Sequence, residues 1–240
     1  MIDLPASIRR ARRWSSLPAR AVGALFGCAL LGLPTTSRAD LFGDIKDGID
    51  DGLRVIGADV AGGFTGAIGV VGAAYVDELE GDALELPPAF ADIIRGFMDM
   101  EDFPGAFAEQ DLQRARLLPA SHPGAEQFVT EGHSGVTLDA LVIVNDARYD
   151  AIVNWNRSWP EVLEGEMSSA ERKALFLMLH ELVHVRQFRE MGRQAFLDEY
   201  LPAVVRDGDH GARLEDEAYR MAPRKGSWAR EVLDAYAGGM

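Results

Sequence analysis

Residues 180–184, His-Glu-Leu-Val-His, constrain the fold of this chain more than any other segment. They lie inside an apolar run, Ala174 to Val185, that is typical of a helix. On a helix, His180 and His184 are about 40° apart around the axis, so both imidazoles can reach one metal ion. Glu181 leans toward the same side, where its carboxylate can take a proton from water. The pattern H-E-x-x-H is the zinc-peptidase signature, and the alternative is a core helix with two incidental histidines.

The sequence also marks both ends of this helix. Ser168-Ser169-Ala170-Glu171 is typical of a capping box, in which the serine and the glutamate each bond to the other's backbone. Gly192 is a natural stop, and the arginines near it suit the negative end of the helix dipole. The apolar run is too short to cross a bilayer and is flanked by charges, so we predict a core helix.

Residues 1–39 have the pattern of an export signal. Several arginines precede the apolar segment Ala21–Leu33, and Ser37-Arg38-Ala39 offers small residues where a signal peptidase cleaves. We therefore expect a mature start at Asp40 and an exported bacterial protein, periplasmic or secreted, by a route that the sequence leaves open. A bacterial lipobox at Cys28 is the less favoured alternative, because cleavage there would divide the apolar segment.

The mature chain would be strongly acidic and free of cysteine. Removing residues 1–39 leaves 18 basic and 37 acidic side chains, a net charge of −19. Such a surface repels nucleic acid and anionic lipid, so neither is expected as a partner. Cys28 is the only cysteine. Disulfides and thiolate ligands are therefore excluded, and any metal must be held by histidines and carboxylates.

The residues after the export signal divide by composition into two regions. Residues 40–135 are rich in glycine and aspartate near their start and are expected to be mostly helical, and residues 136–240 form a domain around the motif helix. Gly57–Val76 consists largely of small residues, with glycines at spacings that allow close helix packing. We expect this segment to pack on the domain as a flexible helix, and the alternative is a membrane-inserting segment.

The predicted fold class is α+β and mainly helical. In the first region, apolar stripes predict one helix from about Phe90 to Met98 and another from Ala106 to Leu117. Val136–Val144 predicts a strand. Further helices are predicted near Ala147–Trp155, Arg193–Val205, Arg213–Met221 and Ser227–Tyr236.

Two histidines leave a catalytic zinc ion one protein ligand short. Glu215 and Glu217 are about 200° apart on a helix, so only one of them can face the metal. The downstream candidates for the third ligand are Asp209, His210, Glu215, Asp216 and Glu217.

Taken together, these motifs resemble a known family. The segment 180–184, followed about 30 residues later by Leu214-Glu215-Asp216-Glu217-Ala218-Tyr219, resembles the gluzincin (Glu-zincin) metallopeptidases. The chain is more closely similar to the minimal metallopeptidase domains of the extracellular contractile injection system core-domain family. Those domains have a strand, here Leu138–Val144, an H-E-L-x-H-x-x-Q helix, here ending in Gln187, and a later helix with Glu three residues before Ala. The resemblance covers residues 136–222.

The resemblance implies a minimal zincin-like core of short strands, a motif helix and a Glu-bearing helix, beside a helical N-terminal region. It also implies that His180, His184 and Glu215 are the ligands of a zinc ion and that Glu181 is the general base. Glu217 is the alternative candidate for the third ligand.

Other positions have less direct roles in this interpretation. Many relatives have an Asp that bonds to a ligating histidine where this chain has Tyr219, whose hydroxyl could serve instead. His210 and Tyr200 are candidates for the second donor to the oxyanion, because both lie between the two helices. The strand Leu138–Val144 is expected to bind an extended peptide along its edge.

The sequence therefore predicts an exported zinc-dependent metallopeptidase that hydrolyses peptide or protein substrates. One alternative is a non-catalytic zinc-binding module of a secretion or toxin-like assembly. Another is a membrane-associated interaction protein that acts through residues 57–76. Glu181 favours the enzyme over a vestigial site, because a purely structural zinc ion does not need that carboxylate. No feature of the sequence indicates an oligomeric state.

Overall fold

The computed structural model describes residues 76–77, 79–125, 134–207 and 213–238. The predicted export signal with Cys28, residues 57–75 of the small-residue segment, and His210 lie outside these ranges. Among the described helices, none combines the length and the apolar character needed to cross a membrane.

The described residues form a mixed α+β fold in which helices predominate, as predicted for the fold class. The strands are β1 (Leu84–Glu85), β2 (Arg116–Pro119), β3 (Gly135–Leu138) and β4 (Leu141–Val144). The helices are α1 (Pro88–Met98), α2 (Glu109–Arg114), α3 (Asp146–Val153), α4 (Trp159–Leu163), α5 (Ser169–Met191), α6 (Arg193–Asp207), α7 (Arg213–Met221) and α8 (Trp228–Gly238).

The four strands form one sheet in the order β1-β2-β4-β3. The central pair β2–β4 is parallel, whereas β1 and β3 pair antiparallel with their neighbours. Among the described strands, β3 is therefore an edge strand, and it lies against α5.

The predicted single strand Val136–Val144 is wrong, because the segment is a hairpin. Leu138 pairs with Leu141, which leaves Asp139 and Ala140 as a two-residue turn. Asp139 has φ of 62°, a conformation that aspartate tolerates better than most residues. Its carboxylate also pairs with Arg114 and Arg193.

The predicted helix Ala106–Leu117 is also shorter than expected. The chain turns extended at Ala115, with φ of −54° and ψ of 131°, and then enters β2. Leu117 and Leu118 are both buried, one on each face of the sheet, so the apolar residues that suggested a helix belong to a strand covered on both sides.

Side chains of the sheet alternate between two cores. The face toward α5 includes Leu117, Val142 and Val144. The opposite face includes Leu118, Leu141 and Ile143, which pack with Val76, Leu79 and Ala125. The helix α5 is thus fixed against the sheet by the larger core, and this contact positions its histidines.

Residues from both predicted regions share the larger core. Phe90, Ile94 and Phe97 of α1 lie in the same buried cluster as Leu179 and Val183 of α5. In the part of the chain that the structure describes, residues on both sides of position 135/136 thus contribute to one core.

The helix α5 has the ends that its sequence predicts. The Ser168 hydroxyl accepts a hydrogen bond from the Glu171 backbone N–H at 3.2 Å, and the Glu171 carboxylate accepts one from the Ser168 backbone N–H at 2.7 Å. The helix ends at Gly192, which has φ of 76°. Every residue from Met178 to Val185 is buried, so this is a central core helix.

Candidate metal centre

His180, His184 and Glu215 come together in one buried group. The two histidines lie one turn apart on α5, and α7 packs against this helix and brings in Glu215. The Nε2 atoms of the histidines are 3.2 Å apart. Glu215 Oε2 lies 3.3 Å from His180 Nε2, and Glu215 Oε1 lies 3.4 Å from His184 Nε2. One donor atom from each of the three residues lies within 4.8 Å of the others, so the group could hold a metal ion.

The electrostatics of the group favour a bound cation. Burial raises the pKa of Glu215, but hydrogen bonds from His180 and His184 and their charges outweigh it and hold that pKa well below its usual range. The carboxylate is therefore ionised at neutral pH. Burial lowers the pKa of His184, yet the hydrogen bond to Glu215, the charges of Glu181 and Glu215 and the bond to Gln187 raise it overall. The same negative charge that raises the pKa of His184 favours a metal cation at this site.

A hydrogen bond to Gln187 orients the His184 ring. Gln187 Nε2 donates to the backbone oxygen of Leu214 at 3.1 Å and to Glu217 Oε2 at 2.8 Å. Because its amide nitrogen has two acceptors, Gln187 Oε1 is the atom that faces His184 Nδ1, at 2.8 Å. Nδ1 is then the donor, and the lone pair of Nε2 is directed at the site.

His180 is oriented by the backbone rather than by a carboxylate. Its Nδ1 lies 3.3 Å from the backbone oxygen of Ala222, just after α7, and donates to it. The Tyr219 ring packs on the same imidazole, with ring centroids 4.6 Å apart, and the Arg224 guanidinium lies over Tyr219 at 3.8 Å. Tyr219 thus places an aromatic ring against the His180 imidazole.

Tyr200 contacts the carboxylate of the group. Its hydroxyl donates a hydrogen bond to Glu215 Oε1 at 2.8 Å from the neighbouring helix α6. Phe196, one turn earlier on α6, stacks on both Tyr200 and Phe188. This aromatic row forms a wall beside His184 and holds the tyrosine in place.

Glu217, the alternative candidate for the third ligand, is engaged elsewhere. Its carboxylate pairs with Arg186 and accepts a hydrogen bond from Gln187. Burial raises the pKa of Glu217, but the bonds from Arg186 and Gln187 outweigh it and leave the pKa below its usual value. Glu217 thus accepts a hydrogen bond from Gln187, while Glu215 contacts both His180 and His184.

Glu181 lies next to this group and under the sheet edge. It is 3% exposed, and its Oε2 accepts a hydrogen bond from the Thr137 hydroxyl of β3 at 2.7 Å. Glu181 directly follows His180 on α5, and its charge contributes to the raised pKa of His184. A buried acid beside a convergent donor set is the arrangement needed for proton transfer at a bound metal ion.

Three contacts of the site could not be predicted from the residue pattern alone. The backbone oxygen of Ala222 carries no side-chain signal, and the Tyr200–Glu215 hydrogen bond depends on how α6 packs. Thr137 would have been found only by recognising that residues 136–144 form a hairpin, which places one face of its first strand against α5. His210 lies outside the described residues.

No family model matches this chain, and no curated protein or solved structure matches it either. The resemblance to the gluzincins therefore rests on the residues quoted from 136–222. What this site can do follows from its own donors, distances and burial.

Proposed function

We propose that this protein is an exported zinc-dependent metallopeptidase that hydrolyses peptide bonds. The observation that carries the proposal is the buried convergence of His180, His184 and Glu215, with the Glu181 carboxylate beside them. Two neutral imidazoles and one carboxylate form the ligand set of known catalytic zinc sites, which leave a fourth position open. Export is inferred from the signal-like pattern of residues 1–39.

The spacing of the donor atoms supports zinc as the metal. Zinc binds imidazole nitrogen and carboxylate oxygen in a tetrahedron at about 2.0–2.2 Å, which gives edges of about 3.3–3.6 Å. The two histidine Nε2 atoms, 3.2 Å apart, are close to that edge length, and each has one oxygen of the Glu215 carboxylate at 3.3 or 3.4 Å. Both histidines also have an Nδ1 partner that leaves Nε2 available to the ion.

The chain's own residues would carry out the proton transfers. When bound, zinc would polarise the scissile carbonyl and lower the pKa of water toward neutrality. Glu181 accepts a proton from the attacking water as its oxygen bonds to the carbonyl carbon. Glu181 then delivers this proton to the amine nitrogen as the C–N bond breaks.

The edge strand β3 suits an extended substrate. It is the edge strand of the described sheet on the side of α5, so a peptide could pair with its backbone close to Glu181. Such pairing holds a peptide through main-chain hydrogen bonds and presents alternate side chains to pockets. The sequence prediction assigned this role to Leu138–Val144. Among the described strands β4 is central in the sheet, so Gly135–Leu138 is the part of the hairpin that could pair with a peptide.

Burial favours one other function. His180, His184 and Glu215 are 7%, 5% and 7% exposed, as expected for a zinc ion enclosed by protein. A non-catalytic zinc-binding module, in a secretion or toxin-like assembly, would have such a site without needing a general base.

One experiment separates the two functions. The chain from Asp40 onward is compared with its Glu181→Gln variant in zinc content and in hydrolysis of casein and a peptide library. For the peptidase we expect one zinc ion per chain in both proteins and cleavage by the parent alone. Glu190→Gln, at an exposed position of α5, is the matched control and should cleave like the parent. Bound zinc without cleavage by the parent would establish the non-catalytic module, and absence of zinc would refute both.

A further inference from the structure

Two residues of β3 face α5. Gly135 has no side chain, and Thr137 has the only hydroxyl group of that strand. Side chains alternate along a strand, and Thr137 pairs with Val142 while Gly135 pairs with Val144, so both share the face of the larger core. Val136 and Leu138 pack on the opposite face. A strand that only closed a core would carry apolar side chains at these two positions, as β4 does.

Thr137 makes a direct hydrogen bond to Glu181. The distance from Thr137 Oγ1 to Glu181 Oε2 is 2.7 Å, and the two residues are 7% and 3% exposed. The same hydroxyl lies 3.4 Å from the Glu181 backbone oxygen, a longer and weaker contact. A buried carboxylate loses its hydration, so a donor at this distance replaces a lost hydrogen bond and fixes the rotation of the carboxylate group.

Gly135 provides the space for the other carboxylate oxygen. A Cβ atom at this position would lie 3.3 Å from Glu181 Oε1, 3.3 Å from a methyl carbon of Leu177 and 3.2 Å from the backbone oxygen of Ile143. Such contacts are tight, and the backbone oxygen of the neighbouring strand cannot move aside easily. Any side chain at position 135 would therefore displace either the edge strand or Glu181.

From these contacts we propose that β3 positions the general base, with Thr137 as a positioning residue for Glu181. The proposal rests on the proposed peptidase function and deepens it. The Thr137 hydroxyl donates to Glu181 Oε2, so Glu181 Oε1 remains available to accept the proton of the attacking water. Because β3 is also the strand to which the peptide is proposed to pair, one element fixes both the scissile bond and the base.

The test compares Thr137→Val and Thr137→Ser with the parent, in the chain from Asp40 onward with zinc bound. Valine has nearly the shape of threonine without the hydroxyl, and serine keeps the hydroxyl. General-base catalysis contributes about 10²–10⁴ in rate, so a poorly aligned base should lose about tenfold or more in kcat. We expect that loss in Thr137→Val, with KM and zinc content unchanged, and recovery of most of the rate in Thr137→Ser.

A second readout does not depend on activity. Thermal unfolding of Thr137→Val, Glu181→Ala and the double variant, measured with a chelator present, forms a double-mutant cycle in which each single variant removes the hydrogen bond. If the hydrogen bond exists, the shift in Tm of the double variant will differ from the sum of the two single shifts. Additive shifts would overturn the contact and with it the proposal.

The outcomes distinguish this inference from the function on which it rests. An active parent with an inactive Glu181→Gln variant establishes the peptidase. If Thr137→Val then retains the parent's kcat, or if Thr137→Ser loses as much as Thr137→Val, positioning by the hydroxyl is refuted and the peptidase stands. An inactive parent refutes both.

Discussion

Gln187 accepts a hydrogen bond from His184 Nδ1 at 2.8 Å while its amide nitrogen donates to Leu214 and Glu217. A single amide thus links the two helices that carry the donor atoms, α5 and α7. The Gln187 amide can make all three hydrogen bonds in only one orientation. The reversed amide would place its NH₂ group against the Nδ1–H of His184.

Replacement of Gln187 by leucine should weaken metal binding without removing a ligand. Loss of a hydrogen-bond partner of a ligating histidine lowers metal affinity by about 10–100-fold. We therefore expect a zinc Kd about 10–100-fold higher in Gln187→Leu than in the parent, measured by competition with a chromogenic chelator. Gln194→Leu, whose amide bonds to Asp198 on the exposed surface of α6, is the control and should bind zinc like the parent. Equal affinities of the two variants would contradict the role of Gln187.

Tyr200→Phe separates two roles for the tyrosine hydroxyl. In the structure this hydroxyl donates to Glu215, so its removal should raise the zinc Kd by about tenfold, as expected for a group that orients a ligand. The sequence interpretation as an oxyanion donor predicts an unchanged Kd and a decrease in kcat of about 10²–10³-fold. Kd and kcat measured on the same variant decide between them. Tyr236→Phe, at an exposed tyrosine, is the control.

The two glutamates of α7 should respond differently to neutralisation. Glu215 meets both histidines, whereas Glu217 pairs with Arg186 and Gln187. We expect Glu215→Gln to lose stoichiometric zinc after gel filtration and Glu217→Gln to retain it, with an affinity reduced no more than in Gln187→Leu. Metal analysis of the purified proteins measures the zinc that each variant retains. Zinc lost from Glu217→Gln but kept by Glu215→Gln would reverse the assignment of the third ligand.

Features that depend on neighbours in the sequence could be predicted. The capping box at Ser168, the stop at Gly192 and the histidines on one side of α5 all arise within one helix. Glu215 followed from resemblance to a family, because the packing of α7 on α5 is not contained in local spacing.

The hairpin and its consequences could not be predicted in the same way. Its turn, Asp139-Ala140, lacks the glycine or asparagine that usually marks a two-residue turn, so two four-residue strands look like one apolar run. The positive φ of Asp139 is stabilised instead by Arg114 and Arg193, which are distant in sequence. The contact of Thr137 with Glu181 follows from that hairpin and was missed with it.

An ion pair between the buried Asp111 and the partly exposed Arg189 links α2 to the helix of the candidate site. Asp111 is fully buried and accepts hydrogen bonds from Arg189 at 2.6 and 3.2 Å and from the Ala108 backbone N–H at 2.8 Å. Asp111→Ala removes the buried acceptor of these three hydrogen bonds, so it should reduce the free energy of unfolding by about 2 kcal/mol. Asp92→Ala, which breaks an exposed pair with Arg95, should change it by less than about 1 kcal/mol. Urea denaturation measures both, and similar losses would contradict the distinction.

The N-terminus of α5 should make stability depend on pH through Glu171. Burial raises the pKa of Glu171, but hydrogen bonds from Ser168 and from the Arg157 guanidinium outweigh it and leave the pKa below its ordinary value of 4.5. A carboxylate with a lowered pKa in the folded state stabilises that state above about pH 4.5, and this contribution is lost as pH falls through the folded-state value.

Glu171→Gln isolates this contribution, because glutamine can still complete the capping box and lacks only the charge. At pH 7 the variant should be less stable than the parent by about 0.5–1 kcal/mol, as is typical for an acidic side chain at a helix N-terminus. The difference should decrease below pH 4.5. Urea denaturation at pH 7 and pH 3, with a chelator to remove any contribution from bound metal, measures it. Glu164→Gln, at an exposed position, should match the parent at both pH values. A difference between Glu171→Gln and the parent that increased on acidification would mean that the carboxylate is not stabilised in its ionised form.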